Sequence, residues 1–97
     1  TILANTIVPQ KNVAFANIPV LMVDSTDHVS PKLALVPTAT RSIDGGAFAA
    51  VTGAIAEIGN GMYQFDATAA DMNGDVITFR FIGAAADDSF ITIHTKP

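Results

Sequence analysis

Cysteine and tryptophan are both absent from this 97-residue chain. Without cysteine no disulfide staples the fold and no thiolate is on hand as a nucleophile or soft metal ligand, so stability has to come from packing. Charge is scarce as well: 14% of residues are charged, against a usual share of about 25%. What charge there is runs acidic, nine Asp and Glu against five Lys and Arg, for a net charge of −4. A field of that sign repels phosphate backbones and anionic headgroups, which argues against nucleic-acid and membrane-surface binding. Long apolar runs are missing too. The most apolar stretch, residues 13–23, is broken by Asn17 and Pro19 and falls well short of the roughly 20 residues of a membrane-spanning helix. Residues 1–10 have no basic region ahead of an apolar one and do not read as a secretory signal. The length suits one domain with one core and does not suit a two-domain enzyme with a cleft between its halves.

What is present is alternation. Hydrophobic residues reach 49%, lifted by sixteen alanines, and they recur every second position in segments too short for good helices. Residues 2–8 form a possible first strand stopped by Pro9, within a segment 1–11 that reads as an N-terminal arm or edge strand. Residues 12–97 read as a single β-sandwich domain. In residues 13–24, Ala16, Ile18, Val20 and Met22 share one face and Phe15, Leu21 and Val23 the other, so a strand covered on both sides is expected. Residues 25–28 and Ser30-Pro31 are turn chemistry, followed by a short strand at 33–36. Two hairpins follow. The first joins 38–43 to 47–52 through Asp44-Gly45-Gly46, and the second joins 54–58 to 62–67 through Gly59-Asn60-Gly61, with Tyr63 and Phe65 on one face. Tyr63 is expected to bury its ring and give its hydroxyl a backbone partner at a sandwich corner. Thr68 and Asp71 have the spacing of a helix cap, but only about one turn fits before Asn73-Gly74. Residues 76–82 set Ile77, Phe79 and Phe81 inward, and the last strand, 89–95, sets Ile91 and Ile93 inward with Phe90 outward.

Six to seven short antiparallel strands with turns every 8 to 12 residues or so predict an all-β immunoglobulin-like or Greek-key sandwich, with a small β-barrel as the alternative. Chemistry is thinly supplied. His28 lies in a turn and His94 on the polar side of the last strand, no serine sits in a nucleophile elbow, and no glycine-rich loop joins a strand to a helix. No catalytic residue and no cofactor-binding residue is assigned. The best polar cluster, Asp71, Asn73 and Asp75, is a weak metal candidate. In a calcium loop a glycine follows the third ligand and a glutamate closes position 12, whereas here Gly74 precedes Asp75 and position 12 is Ile82. Asp24 with Asp27, and Asp87-Asp88, are further loop acids that would share a site only if their loops met at one end of the sandwich.

Four stretches carry a family likeness: residues 20–24; Ser42-Ile43-Asp44-Gly45-Gly46-Ala47-Phe48; Glu57-Ile58-Gly59-Asn60-Gly61-Met62-Tyr63; and Thr68-Ala69-Ala70-Asp71 with Asn73-Gly74-Asp75. Together they resemble the small immunoglobulin-like domains of tailed-bacteriophage virion proteins, with Met62 where similar sequences carry tryptophan. The resemblance implies a non-enzymatic domain located in the virion and assembled in the host cytoplasm, serving in a capsid decoration, tail or fibre component. Its partners would be other virion proteins, with self-association into an oligomer as a further expectation and no cofactor. A poorly charged, alanine-rich surface suits packing against neighbours. The alternative is a carbohydrate- or calcium-dependent binding module, and a small hydrolase built on loop carboxylates ranks last.

Overall fold

The structure, a computed structural model, describes residues 9–96. Seven strands follow one another in the chain: β1 (Phe15–Leu21), β2 (Thr38–Ile43), β3 (Ala49–Ala50), β4 (Ala54–Gly59), β5 (Met62–Ala67), β6 (Val76–Ile82) and β7 (Ser89–His94). They form two antiparallel sheets, one ordered β1-β5-β4 and the other β3-β2-β6-β7. The sheets are not hydrogen-bonded into a closed cylinder, which removes the barrel alternative. In the lettering of immunoglobulin domains the two orders are B-E-D and C′-C-F-G, the Greek-key arrangement of that sandwich. The expected fold class holds, with seven strands among the described residues.

The turns behave as their residues dictate. Asp44 (φ 51°) and Gly45 (φ 79°) both take positive φ, and the Gly46 amide donates to the Ile43 carbonyl at 2.9 Å, as in a type I′ turn. Asn60 (φ 55°) and Gly61 (φ 82°) repeat that pattern between β4 and β5. At Gly61 a side chain would also collide, because an added Cβ would lie 2.4 Å from the Pro31 Cβ.

The inward positions of both sheets meet in one core. Ile18, Val20, Tyr63, Phe65 and Ala67 face Ala39, Ile77, Phe79, Phe81 and Ile93, with Met22 and Met72 closing its margins. Phe65 packs edge-on to Phe79 and Phe81, with ring centroids 5.0 and 5.5 Å apart, a geometry worth about 0.5–1.5 kcal/mol per pair beyond burial. The Tyr63 hydroxyl donates to the Lys32 carbonyl at 2.8 Å and accepts from the Leu35 amide at 3.0 Å, fastening the β1–β2 connection over one end of the sandwich.

Two local expectations change. First, β1 is covered on one side only: Leu21 is 48% exposed on the other. Pairing with β5 steps three residues on β1, from Phe15 to Ile18, against two on β5, from Ala67 to Phe65. That bulge, with Asn17 at φ 63°, inserts one residue, so Phe15 packs against the core on the same side as Ile18. Second, residues 33–36 form no strand. Leu35 alone turns toward the core, while Leu33 and Val36 are exposed. At the N-terminal side, the Asn12 amide donates to the Met72 carbonyl and Pro9 and Lys11 pair with Lys96, so residues 9–12 are tied to the sandwich. The possible strand at 2–8 lies outside the described residues.

Candidate functional site

Asp71, Asn73 and Asp75 do not converge. The one turn between β5 and β6 closes as the cap spacing predicts: the Thr68 amide donates to Asp71 Oδ2 at 3.1 Å and the Asp71 amide to Thr68 Oγ1 at 3.3 Å. This reciprocal cap turns the Asp71 carboxylate inward, where it is completely buried. There it accepts the amides of Thr52 and Gly53, both at 2.9 Å, and pairs with the Arg41 guanidinium. Burial pushes its pKa up, but the three amides and Arg41 outweigh that and hold it below the ordinary carboxylate value. Asp75 points outward to Lys11 at 3.3 Å, and Asn73 is exposed. With all of its near lone pairs committed, Asp71 is a structural hub that ties the β3–β4 and β5–β6 connections to β2.

Arg41, the partner of this hub, escapes motif reading because it lies 30 residues upstream. The signal that could have found it is its register. It alternates inward between Ala39 and Ile43, and an inward arginine calls for a buried acid. Glu57 is a second such residue: its carboxylate accepts the Ala34 amide at 3.1 Å and the Gly61 amide at 3.4 Å, holding the β1–β2 connection against the β4–β5 turn.

The remaining loop acids do gather at one end. The Ser25 amide donates to the Ala85 carbonyl and the Asp87 amide to the Val23 carbonyl, so the β1–β2 and β6–β7 connections run side by side. Each acid is nevertheless already engaged. Asp24 takes the Thr26 hydroxyl and amide, which lower its pKa, and lies 3.6 Å from Lys32. Asp27 is held at a pKa of about 2 by the Ser30 hydroxyl and the amides of Val29 and Ser30. Asp87 Oδ2 sits 2.7 Å from His28 Nδ1, and that contact raises the His28 pKa. Asp88 pairs with Arg80. Among the described residues no three His, Cys, Asp or Glu side chains are arranged to hold a metal ion.

The surface left open is apolar. On the outer side of the β1-β5-β4 sheet, Leu21 lies opposite Met62 and Pro19 opposite Gln64, and Ile58 is 62% exposed. Ala54, Ala56, Ile58, Gln64 and Asp66 border a shallow depression of about 320 Å³. The small alanines of β4 leave that hollow beside the larger Ile58. Two carboxylates border the hollow: Asp66, whose Oδ1 accepts the Asn17 amide and the Gln64 amide group, and Glu57, which accepts the Ala34 and Gly61 amides. The face therefore offers an apolar ridge beside a hollow whose two carboxylates are already engaged by amide donors. No known protein family, curated protein or solved structure matches this chain.

Proposed function

We propose that the chain is a non-enzymatic structural and interaction domain of a bacteriophage virion, binding neighbouring capsid or tail proteins. Two kinds of support bear on this reading. The turn and core motifs of residues 42–48, 57–63 and 68–75 resemble those of virion immunoglobulin-like domains, and that resemblance supplies the biological setting. The physical observation that carries it is the outer face of the three-stranded sheet, where Leu21, Ile58 and Met62 stand exposed around a shallow hollow. A free monomer gains nothing by displaying such a face, whereas a lattice or tail component buries it against a neighbour.

The test is mass spectrometry of density-gradient-purified virions produced from the genome that encodes the chain. The expected result is a fixed copy number per particle that survives washing in high salt, since an apolar contact is insensitive to screening. Chain found only in the soluble fraction, with none on particles, overturns the reading.

A further inference from the structure

Strand β7 lies at the edge of the four-stranded sheet, and its hydrogen-bonding groups have a defined direction. The Thr95 amide donates to the Asp75 carbonyl at 3.0 Å. By the alternation of an antiparallel ladder, Ser89, Ile91 and Ile93 likewise turn their peptide groups toward β6. Phe90, Thr92 and His94 therefore turn theirs the other way, to the outer edge of the sheet. Lys96 continues that outward series and is already paired. Its amide donates to the Pro9 carbonyl at 3.0 Å, and its carbonyl accepts the Lys11 amide at 2.8 Å. The resulting bridge between Gln10 and Lys96 is parallel, so at Pro9 the chain already runs beside the line of β7 and in its direction.

That bridge fixes a register for the residues before it, because parallel strands advance one residue for one. Counting back places Val8 opposite His94, Ile7 opposite Ile93, Thr6 opposite Thr92, Asn5 opposite Ile91, Ala4 opposite Phe90 and Leu3 opposite Ser89. The residue types match these neighbours. Ile7 falls on the core side beside the buried Ile93, and Leu3 falls on that side too, with Asn5 as its polar exception. On the outer side, Thr6 extends the row formed by Thr92 and Thr78, whose Oγ1 atoms are 3.1 Å apart. Small Ala4 adjoins Phe90, which is 56% exposed. Residues 2–8 carry no charge.

From this we infer that residues 2–8 dock on β7 of their own chain as a fifth, parallel strand of that sheet. The amides of Phe90, Thr92 and His94 donate to the carbonyls of Leu3, Asn5 and Ile7, and the amides of Asn5 and Ile7 donate to the carbonyls of Phe90 and Thr92. Pro9 omits the rung to the His94 carbonyl, an omission that an edge strand tolerates. Strand β1, which follows this segment in the chain, is a poorer acceptor: its Asn17 amide is taken by Asp66 Oδ1, and Pro19 has no amide to give. Residues 9–11 deliver the segment to β7 with no span to cross, so its local concentration there exceeds what a second copy supplies. Docking covers an edge that would otherwise template pairing with another chain. The inference holds or fails separately from the virion reading.

The chain has no cysteine, so an engineered pair reports this contact without competition. Thr6→Cys with Thr92→Cys, made in the full chain, sets two thiols on the same face of neighbouring strands about 4.8 Å apart, within disulfide reach. Mild oxidation is expected to close the bond within one chain, read by mass spectrometry as an oxidised monomer. Asn5→Cys with Thr92→Cys puts the first thiol on the opposite face and stays reduced. Thr92 is exposed, and circular dichroism melts check that each variant folds. In the wild-type chain, hydrogen exchange followed by nuclear magnetic resonance shows the Phe90 and Thr92 amides slowed at least about tenfold relative to an unstructured chain. A disulfide that forms only between two chains, equal closure of both pairs, or unprotected Phe90 and Thr92 amides overturns the inference.

Discussion

Replacing Asp71 by alanine removes the acceptor for the Thr52, Gly53 and Thr68 amides and leaves the Arg41 guanidinium, with 19% of its side chain exposed, beside an uncharged hole. Breaking a buried ion pair from one side costs about 3–5 kcal/mol. A domain of this size has about 5–15 kcal/mol in total. Each kcal/mol moves the melting temperature of such a domain by about 4–8 °C, so the midpoint falls on the order of 20 °C. Arg41→Ala is milder, about 1–3 kcal/mol, because the carboxylate keeps its three amide donors. Urea unfolding followed by far-ultraviolet circular dichroism measures both variants. A loss under about 1 kcal/mol for Asp71→Ala, or a larger loss for Arg41→Ala, refutes the reasoning. The pH dependence has a defined sign. A carboxylate whose folded pKa is depressed stabilises the fold above its unfolded value, 3.8, and that contribution fades as pH falls through the folded pKa. The acid limb of the wild-type stability curve flattens in Asp71→Ala.

His28 behaves with the opposite sign. Its contact with Asp87 raises its pKa above 6.5, so the stabilisation from the His28–Asp87 pair is fully present below pH 6.5 and is lost as pH rises through the folded value, while the backbone hydrogen bonds between the two connections remain. Nuclear magnetic resonance titration gives a midpoint above 6.5 for wild type that drops in Asp87→Asn; equal midpoints contradict the pairing. Gly61→Ala combines a positive φ with a clash against Pro31 and costs at least about 2 kcal/mol. A melting temperature within a degree of wild type would show that the β4–β5 turn is not built as described.

The parts of the fold legible in the sequence are those written in local chemistry. Strand β2 at residues 38–43 and strand β6 at residues 76–82 follow from clean alternation, and the Asp44-Gly45 and Asn60-Gly61 turns from the positive φ angles that those residues accept. Thr68 and Asp71 announce their cap because both partners lie within one turn. What escaped depends on distance or on one residue of slippage. The bulge at Asn17 moves Phe15 to the core side, and a strict two-residue period does not register that. Residues 33–36 have the apolar character of a strand but find no neighbour, because Glu57 and the Tyr63 hydroxyl take the Ala34 and Leu35 amides instead. The partners of Asp71 are hidden for the same reason: it looks free in sequence and is satisfied by Arg41, Thr52 and Gly53 from elsewhere in the chain. The exposed faces were foreseeable only as a low charge fraction, since which apolar residues remain uncovered is decided by sheet order.

The proposed virion role is tested most directly by electron cryomicroscopy of particles produced from the genome that encodes this chain. The sandwich should occupy a repeating position on head or tail, with Leu21, Ile58 and Met62 buried against a neighbouring protein. Particles lacking density for the sandwich, or a bound domain whose three-stranded face stands bare to solvent, would contradict it.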